Sequence, residues 1–184
     1  MSSRQPPVPL IVYSGLAYRT IAGTKLPGID DLISDGDGER FSDGSQPTVY
    51  LATDAGVALA EMARRLAVGL DEPIETTPHT LVRMRARVEG VADIRDTFTL
   101  RALGLPGGPI DLLDRGAARG LGARLREVPG CRGLLAPSMA MLDQPKRGNL
   151  VIFAELLPGR LESVLWPPRE AGAVRFVPRP ADSY

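Results

Sequence analysis

Three side chains that can act on a polar substrate follow one another at even intervals in the sequence: Arg40, Tyr50 and Glu61. A guanidinium group binds anionic oxygens, a phenol offers a flat face and a hydroxyl group, and a carboxylate opposes positive charge. The arginine lies in a glycine-flanked turn, the tyrosine in a short apolar stretch and the glutamate in a stretch with helical character. The spacing raises the question of whether the three side chains meet at one site.

Each of the three residues also has an ordinary structural explanation. Glu61 stands within the apolar run 59–63, an unfavourable place for a carboxylate, but Arg65 follows four residues later and a surface ion pair on one helix face would account for it. Arg40 can be a solvated charge in a loop, and Tyr50 a core aromatic with an exposed hydroxyl group. The spacing by itself leaves both explanations open.

The elements that must position these residues can be read from the local pattern. Residues 27–47 are rich in Gly, Asp and Ser and predict an exposed loop, after which residues 48–52, TVYLA, predict a short strand. Asp54 is well placed to cap a helix that ends near Gly69. We therefore expect a strand–turn–helix unit with Tyr50 in the middle of the strand and Glu61 about two turns into the helix.

A second strand is predicted by strict alternation over residues 81–88, which places Arg83, Arg85 and Arg87 on one side and apolar residues on the other. The three arginines can form a solvated face or one that faces a substrate. Residues 91–108 predict a short strand or turn that runs into a loop, and residues 109–130 predict a helix weakened by glycines.

Strands dominate the remainder of the chain. Segments 131–137 and 149–157 predict strands, as do segments 160–168 and 173–178, the last of these at a sheet edge because prolines crowd it. The chain lacks the regular strand–helix alternation of a doubly wound sheet. We predict a mixed α+β fold, mostly antiparallel with a few inserted helices, forming a single domain over residues 1–184 with its core at about 11–177.

Composition argues against several classes of function. The chain has 22 basic and 22 acidic side chains and no net charge, so we expect no direct nucleic-acid binding. Its one cysteine, Cys131, precludes an internal disulfide and a multi-cysteine zinc site, and we expect it to be a small buried residue. The only histidine, His79, falls in a predicted loop, which rules out a His–His metal site and makes a Ser–His–Asp triad depend on that loop.

Known cofactor motifs are also missing from the sequence. No glycine-rich dinucleotide fingerprint follows a strand, and no phosphate-binding loop ends in Lys-Ser or Lys-Thr. The acidic loop at 36–44 lacks the terminal glutamate of a calcium loop, so we expect no metal site. The apolar run near the N-terminus is too short for a signal peptide, and no segment is long enough to span a bilayer. We expect a cytoplasmic protein that does not contact a membrane.

Residues 38–66, GERFSDGSQPTVYLATDAGVALAEMARRL, resemble the central signature of the RES domain family. The YRT at 18–20 is similar to the opening arginine motif of that family. Residues 133–153, GLLAPSMAMLDQPKRGNLVIF, are similar to its segment in which Pro-Ser is followed by Asn and apolar residues. The similar segments occur in the same order as in the family and run from Tyr18 to Phe153.

The resemblance implies an ADP-ribosyltransferase-like fold and a toxin that cleaves the nicotinamide–ribose bond of NAD⁺ by hydrolysis or phosphorolysis. NAD⁺ would be the substrate, inorganic phosphate a possible co-substrate, and no cofactor would be needed. By matched position, Glu61 would stabilise the ribose cation and Tyr50 would stack on the nicotinamide. Arg19 and Arg40 would bind the pyrophosphate, and Ser138 would bind the nicotinamide amide or the ribose.

Two other functions remain open at the level of sequence. One is ADP-ribosyl transfer to a protein target, which breaks the same bond. The other is a non-catalytic interaction module on the same fold, because Phe41 and Ser42 stand where many members of the family have Trp-Asn. The resemblance also implies an Xre-like helix-turn-helix antitoxin as the partner.

Overall fold

The computed structural model of the chain describes residues 8–34, 40–67 and 78–174. Over these residues the chain forms seven strands, three α-helices and four short 3₁₀ turns. The strands are β1 (Leu10–Ala22), β2 (Ile33–Ser34), β3 (Thr48–Ala52), β4 (His79–Asp93), β5 (Gly133–Pro137), β6 (Gly148–Phe153) and β7 (Arg169–Val174). The helices are α1 (Ala55–Ala67), α2 (Thr97–Ala102) and α3 (Arg115–Arg126). The 3₁₀ turns are Asp30–Leu32, Gly108–Leu113, Ala154–Leu156 and Leu161–Ser163.

The strands belong to one sheet with the order β1-β3-β6-β5-β4-β7, and β2 pairs with β3. Strand β1 also pairs with β4 over most of its length, so the sheet curls back on itself. Every pairing is antiparallel except the short one between β4 and β5. The prediction of a mixed α+β fold with a mostly antiparallel sheet is confirmed.

The sheet buries both of its faces because its central strands are apolar at successive positions. Leu134 and Val151 contribute to one core cluster together with α2 and α3, whereas Leu135 and Ile152 contribute to a second cluster between the sheet strands. Full burial of one such side chain stabilises the fold by about 1.5–3 kcal/mol. These clusters fix β5 and β6, the two strands that carry the floor of the site described below.

The predicted strand–turn–helix unit is present. β3 covers the predicted residues, and the side chain of Asp54 accepts a hydrogen bond from the Val57 amide at 3.0 Å, which caps α1. The described part of α1 ends at Ala67, so its predicted end at Gly69 lies outside the described residues. In β4 the side chains of residues 83, 85 and 87 are exposed and those of 82, 84, 86 and 88 are buried, which agrees with the solvated-face alternative.

Several local predictions were wrong. The segment predicted as an exposed loop contains a 3₁₀ turn and β2, and Leu32 and Phe41 within it are buried because they pack into the core. The strand predicted at 149–157 ends at Phe153 and is followed by a 3₁₀ turn. Residues 91–108 extend β4 to Asp93 and then form α2, a helix too short to leave a clear periodicity but capped by Asp96, which accepts from the Thr99 amide at 2.8 Å. Segment 160–168 forms a 3₁₀ turn, with only Leu165 bridging to β4. His79 begins β4 rather than lying in a loop, because pairing with β1 and β7 extends that strand.

The last strand, β7, spans Arg169–Val174 and therefore begins before the predicted segment 173–178. Among the described residues it pairs with β4 alone, which makes it an edge strand as predicted. Its two flanking prolines, Pro167 and Pro168, precede the paired residues, so they remove no ladder hydrogen bond.

Candidate functional site

A cavity of about 640 Å³ opens between α1, the strands β1, β3 and β6, and the start of α3. Among the described residues that line it, basic side chains outnumber acidic ones. These residues include one carboxylate, that of Glu61, and five arginines: Arg19, Arg40, Arg64, Arg65 and Arg115. An anionic ligand is therefore favoured here, although the chain as a whole carries no net charge.

The carboxylate of Glu61 is held by three donors on one oxygen atom. Oε1 accepts hydrogen bonds from Ser138 Oγ at 2.7 Å, from the Met139 amide at 2.9 Å and from Asn149 Nδ2 at 3.1 Å. None of these three bonds uses Oε2. The side chain of Glu61 thus has a fixed orientation at the cavity wall, whereas the surface pair with Arg65 would have left it on the helix exterior.

The three donors are brought together by the pairing of β5 with β6. Ala136 lies opposite Asn149 in that ladder, and Ser138 directly follows the last residue of β5. Ser138 is fully buried, and its Oγ also accepts from the Ala140 amide at 3.2 Å. Asn149 lines the cavity, but Ser138 does not, so Ser138 contacts the glutamate from behind.

Tyr50 lies in the middle of β3, half-buried, next to Val151 of β6 in the ladder. Its hydroxyl oxygen accepts a hydrogen bond from the Phe41 amide at 3.0 Å. Both residues line the cavity. The phenol therefore ties the turn that contains Arg40 to the strand, and its ring forms part of the cavity surface.

Arg40 is partly buried, and its Nη1 donates to the carbonyl of Leu112 in the 3₁₀ turn before α3. Burial lowers the pKa of the Arg40 guanidinium, and the neighbouring Arg64 and Arg115 act in the same direction, whereas Glu61 and Tyr50 oppose it. The group remains a cation at neutral pH because arginine starts from so high a value. The guanidinium groups of Arg40, Arg64 and Arg115 all line the cavity, so their combined charge favours an anion there.

The backbone next to Arg40 is fixed by α3. The carbonyl of Phe41 accepts from Arg126 Nη1 at 2.7 Å, and the same guanidinium lies 3.9 Å from the centre of the Phe153 ring. Gly122 brings α3 so close that a Cβ atom there would lie 2.4 Å from the Phe41 oxygen. Phe41 itself is 3% exposed and belongs to the core.

Arg19 lines the cavity from β1, but its guanidinium points toward the β2 region. Nη1 donates to the carbonyl of Leu32 at 2.5 Å, and Nη2 lies 3.4 Å from Ser34 Oγ. In the ladders, its neighbour Tyr18 pairs with Ala52 at the end of β3. Arg19 therefore borders the cavity while its guanidinium group is held by Leu32 and Ser34.

The structure thus brings Arg40, Tyr50 and Glu61 to one cavity, with Arg19 at its border and Ser138 behind its wall. Sequence reasoning missed several groups of the candidate site, namely Asn149, Arg64, Arg115 and the Met139 amide. The Asn in the quoted segment 133–153 was a usable signal, and so was the helical i+3 spacing of Arg64 from Glu61. Nothing in the sequence indicated Arg115.

Cys131 is buried, and burial raises the pKa of its thiol. Within the described ranges, no three His, Cys, Asp or Glu side chains are grouped closely enough to hold a metal ion. A search of the same ranges found no helix with the length and apolar character needed to cross a membrane.

Comparison with known proteins agrees with this architecture. The family model of the RES domain matches residues 18–173, and the chain belongs to the RES domain family. The fold is shared with a chain of the crystal structure of the M. tuberculosis MbcT–MbcA toxin–antitoxin complex, with a TM-score of 0.65, 19% identity and coverage of 90% of this chain and 85% of that one. No curated protein matches the sequence.

Proposed function

We propose that this protein is an enzyme that breaks the nicotinamide–ribose bond of NAD⁺ and acts as the toxin of a toxin–antitoxin pair. The observation that carries the proposal is the carboxylate of Glu61, fixed by three hydrogen-bond donors in a cavity whose described lining also includes five arginines. A pyrophosphate and a sugar that becomes cationic are the two features of NAD⁺ that this charge arrangement complements.

Glu61 would act on the ribose as the bond breaks. The bond between the ribose C1″ and the nicotinamide nitrogen cleaves with its electron pair passing to the ring, which leaves as neutral nicotinamide, while positive charge develops on the ribose as in glycoside cleavage. A carboxylate held in place stabilises that charge more than the ground state. Since Oε1 carries all three donors, Oε2 is the oxygen that would meet a ribose hydroxyl.

The other cavity residues would position the substrate. Arg40 and Arg19 offer planar forks for the pyrophosphate oxygens, and Tyr50 offers the half-buried ring for the nicotinamide. Ser138 is fully buried behind Glu61, so we assign it to positioning the carboxylate rather than to contacting the substrate. Asn149 has the same positioning role from the cavity wall.

The acceptor is water or inorganic phosphate, and the arginine content favours phosphate. The pyrophosphate of NAD⁺ carries two negative charges, whereas five arginines line the cavity. Arg64 and Arg115, which lower the pKa of Arg40, would remain to attract a second anion. Attack of a phosphate oxygen on C1″ yields ADP-ribose 1″-phosphate, and attack of water yields ADP-ribose with release of a proton.

The toxin role rests on family membership and on the shared fold. The solved complex with this fold contains a toxin and its antitoxin, and the family resemblance implies an Xre-like helix-turn-helix partner. Such an antitoxin would neutralise the protein most directly by covering the arginine-lined cavity. A neighbouring reading frame for a helix-turn-helix protein, and loss of cellular NAD⁺ on induced expression, are the expected observations.

Incubation of the purified chain with NAD⁺ and phosphate, followed by chromatography of nicotinamide and the ADP-ribose product, tests the chemistry. Glu61→Gln preserves the shape of the side chain and an acceptor for the three donors but removes the charge, so turnover should fall by about 100-fold or more. Glu89→Gln is the matched control, because that side chain is 62% exposed on β4 and outside the cavity.

Unchanged turnover in Glu61→Gln, with folding verified by circular dichroism, would refute the role of the carboxylate. Radiolabel from NAD⁺ fixed on protein would instead indicate ADP-ribosyl transfer to a macromolecule. A wild-type chain that neither binds nor consumes NAD⁺ would indicate a non-catalytic interaction module.

A further inference from the structure

A second groove, separate from the arginine-lined cavity, lies on the exposed face of β4 and encloses about 440 Å³. Its lining is basic and aromatic, and we call it the Arg/Trp groove. It is formed by Leu16, Arg83, Met84, Arg85, Trp166, Pro167 and Arg169. None of these residues lines the first cavity, so the two sites can be tested independently.

Three guanidinium groups line the Arg/Trp groove, and none of the described residues that line it is acidic. Arg83 and Arg169 are direct partners across the β4–β7 ladder, where like charges opposite one another destabilise a sheet. Within residues 8–34, 40–67 and 78–174, the three groove arginines form no ion pair. By contrast, five arginines elsewhere each lie next to a carboxylate: Arg95, Arg126, Arg132, Arg147 and Arg160.

Exposed apolar groups flank the middle arginine. Leu16 pairs with Arg85 across β1 and β4, and the backbone amide of Trp166 donates to the Arg85 carbonyl at 3.0 Å on the other side. The side chain of Leu16 is 43% exposed and that of Trp166 is 50% exposed. The pair Arg83 and Arg169 lies two residues away from Arg85 along β4, at a distance of about 7 Å.

We propose that the Arg/Trp groove binds an extended acidic segment of a protein partner. In such a segment side chains on one face recur every second residue, about 7 Å apart, which matches the distance between the Arg83–Arg169 pair and the row that contains Leu16, Arg85 and Trp166. A carboxylate between Arg83 and Arg169 relieves their repulsion, and an apolar side chain two residues away covers Leu16 and Trp166.

A peptide is favoured over a nucleic acid by two observations. The chain has no net charge, so it lacks the basic excess that phosphate binding requires over a long strand. The groove also presents aliphatic surface from Leu16 beside the indole, which an acidic segment with apolar residues covers and a phosphate backbone does not.

Fluorescence anisotropy with the full-length chain tests the proposal. The probe is a short labelled peptide of alternating glutamate and leucine, compared with a lysine–leucine peptide and a short labelled oligothymidine. We expect the acidic peptide alone to bind, with an affinity that falls as salt rises. The double change Arg83→Gln and Arg169→Gln should weaken binding by roughly three- to tenfold and raise the urea midpoint of the free chain, since it removes the like-charge pair.

Arg160→Gln is the control for loss of an exposed arginine, because that side chain is 81% exposed and lies outside the groove; it removes one positive charge, and the double variant removes two. Equal binding by the double variant and the Arg160→Gln control would overturn the assignment to the groove. Tighter binding of the oligothymidine than of the acidic peptide would overturn the proposal and indicate a nucleic-acid ligand. The absence of any peptide binding at low salt would also overturn the proposal.

Discussion

Replacement of Gly122 by alanine tests how closely α3 packs against the segment that carries Arg40. The added Cβ atom would lie 2.4 Å from the Phe41 oxygen and 3.0 Å from its carbonyl carbon. These are backbone atoms, so no side-chain rotation relieves the contact. To reach a separation of 3.0 Å, the helix and the Phe41 carbonyl must move apart by about 0.6 Å.

Two opposing effects set the size of the change. Alanine is favoured over glycine inside a helix by about 1 kcal/mol. Overpacking costs about 1–3 kcal/mol, and the displaced carbonyl also weakens its charged hydrogen bond from Arg126, a type worth about 1.5–3 kcal/mol. We therefore expect Gly122→Ala to lower the free energy of unfolding by roughly 1–3 kcal/mol despite the better helix propensity.

Gly120→Ala is the matched control on the same helix. The nearest atom to a Cβ at that position is Arg124 Nη1 at 3.7 Å, an ordinary contact with a flexible side chain. The free energy of unfolding of this variant should rise by about 0.5–1 kcal/mol, because alanine has the higher helix propensity. The two variants are the same chemical change two residues apart, so the sign of the difference reports the contact with Phe41.

Urea unfolding followed by circular dichroism measures both variants. With a slope of about 2 kcal/mol/M, the midpoint of Gly122→Ala should fall by roughly 0.5–1.5 M, and that of Gly120→Ala should rise. Consumption of NAD⁺ should fall in Gly122→Ala as well, since Arg40 directly precedes the displaced carbonyl. A midpoint for Gly122→Ala at or above that of the wild type would refute the close packing of α3.

Ser138→Ala should lower kcat for NAD⁺ consumption several-fold, because Ser138 is buried behind Glu61 and holds its carboxylate. The Kd for NAD⁺, measured by calorimetry, should stay unchanged. A higher Kd in the variant would show that Ser138 binds the substrate itself. The hydrogen bond from Arg147 holds the pKa of Asp54 below its usual 3.8. The carboxylate of Asp54 therefore binds a proton more readily in the unfolded chain than in the folded one. The stability that this pair contributes is present above pH 3.8 and is lost as the pH falls below 3.8. Asp54→Asn should remove that part of the acid sensitivity in urea midpoints compared at about pH 6 and pH 3; an unchanged pH dependence would contradict the pairing of Asp54 with Arg147.

Much of the fold could be predicted from local pattern. Strand β3, the Asp54 cap with α1, and the alternation in β4 are each specified by neighbouring residues, through strand periodicity and side-chain capping. Helix α2 was missed because six residues leave too little periodicity to be distinguished from a turn. The segment 160–168 was misread because its apolar residues pack against β4 without forming a ladder of their own.

The residues of the candidate site can also be divided into those that the sequence predicted and those that it did not. The family resemblance predicted Arg40, Tyr50 and Glu61 as one group, and the structure places all three at one cavity. The family resemblance could not predict that Ser138 is fully buried, because a turn after a strand is exposed in many folds. The position of Arg115 at the cavity could not be predicted from the sequence, because it depends on the packing of α3 on the core.

By itself the sequence determined the types of the chemical groups, the order of the elements that carry them and the family to which they belong, because these depend on neighbours along the chain. Only the tertiary structure decided which oxygen of Glu61 is held, and by which three donors, since Ser138, Met139 and Asn149 lie far along the chain and meet the glutamate through the β5–β6 ladder. Long-range pairing is a property of the packed core as a whole, and no short stretch of sequence encodes it.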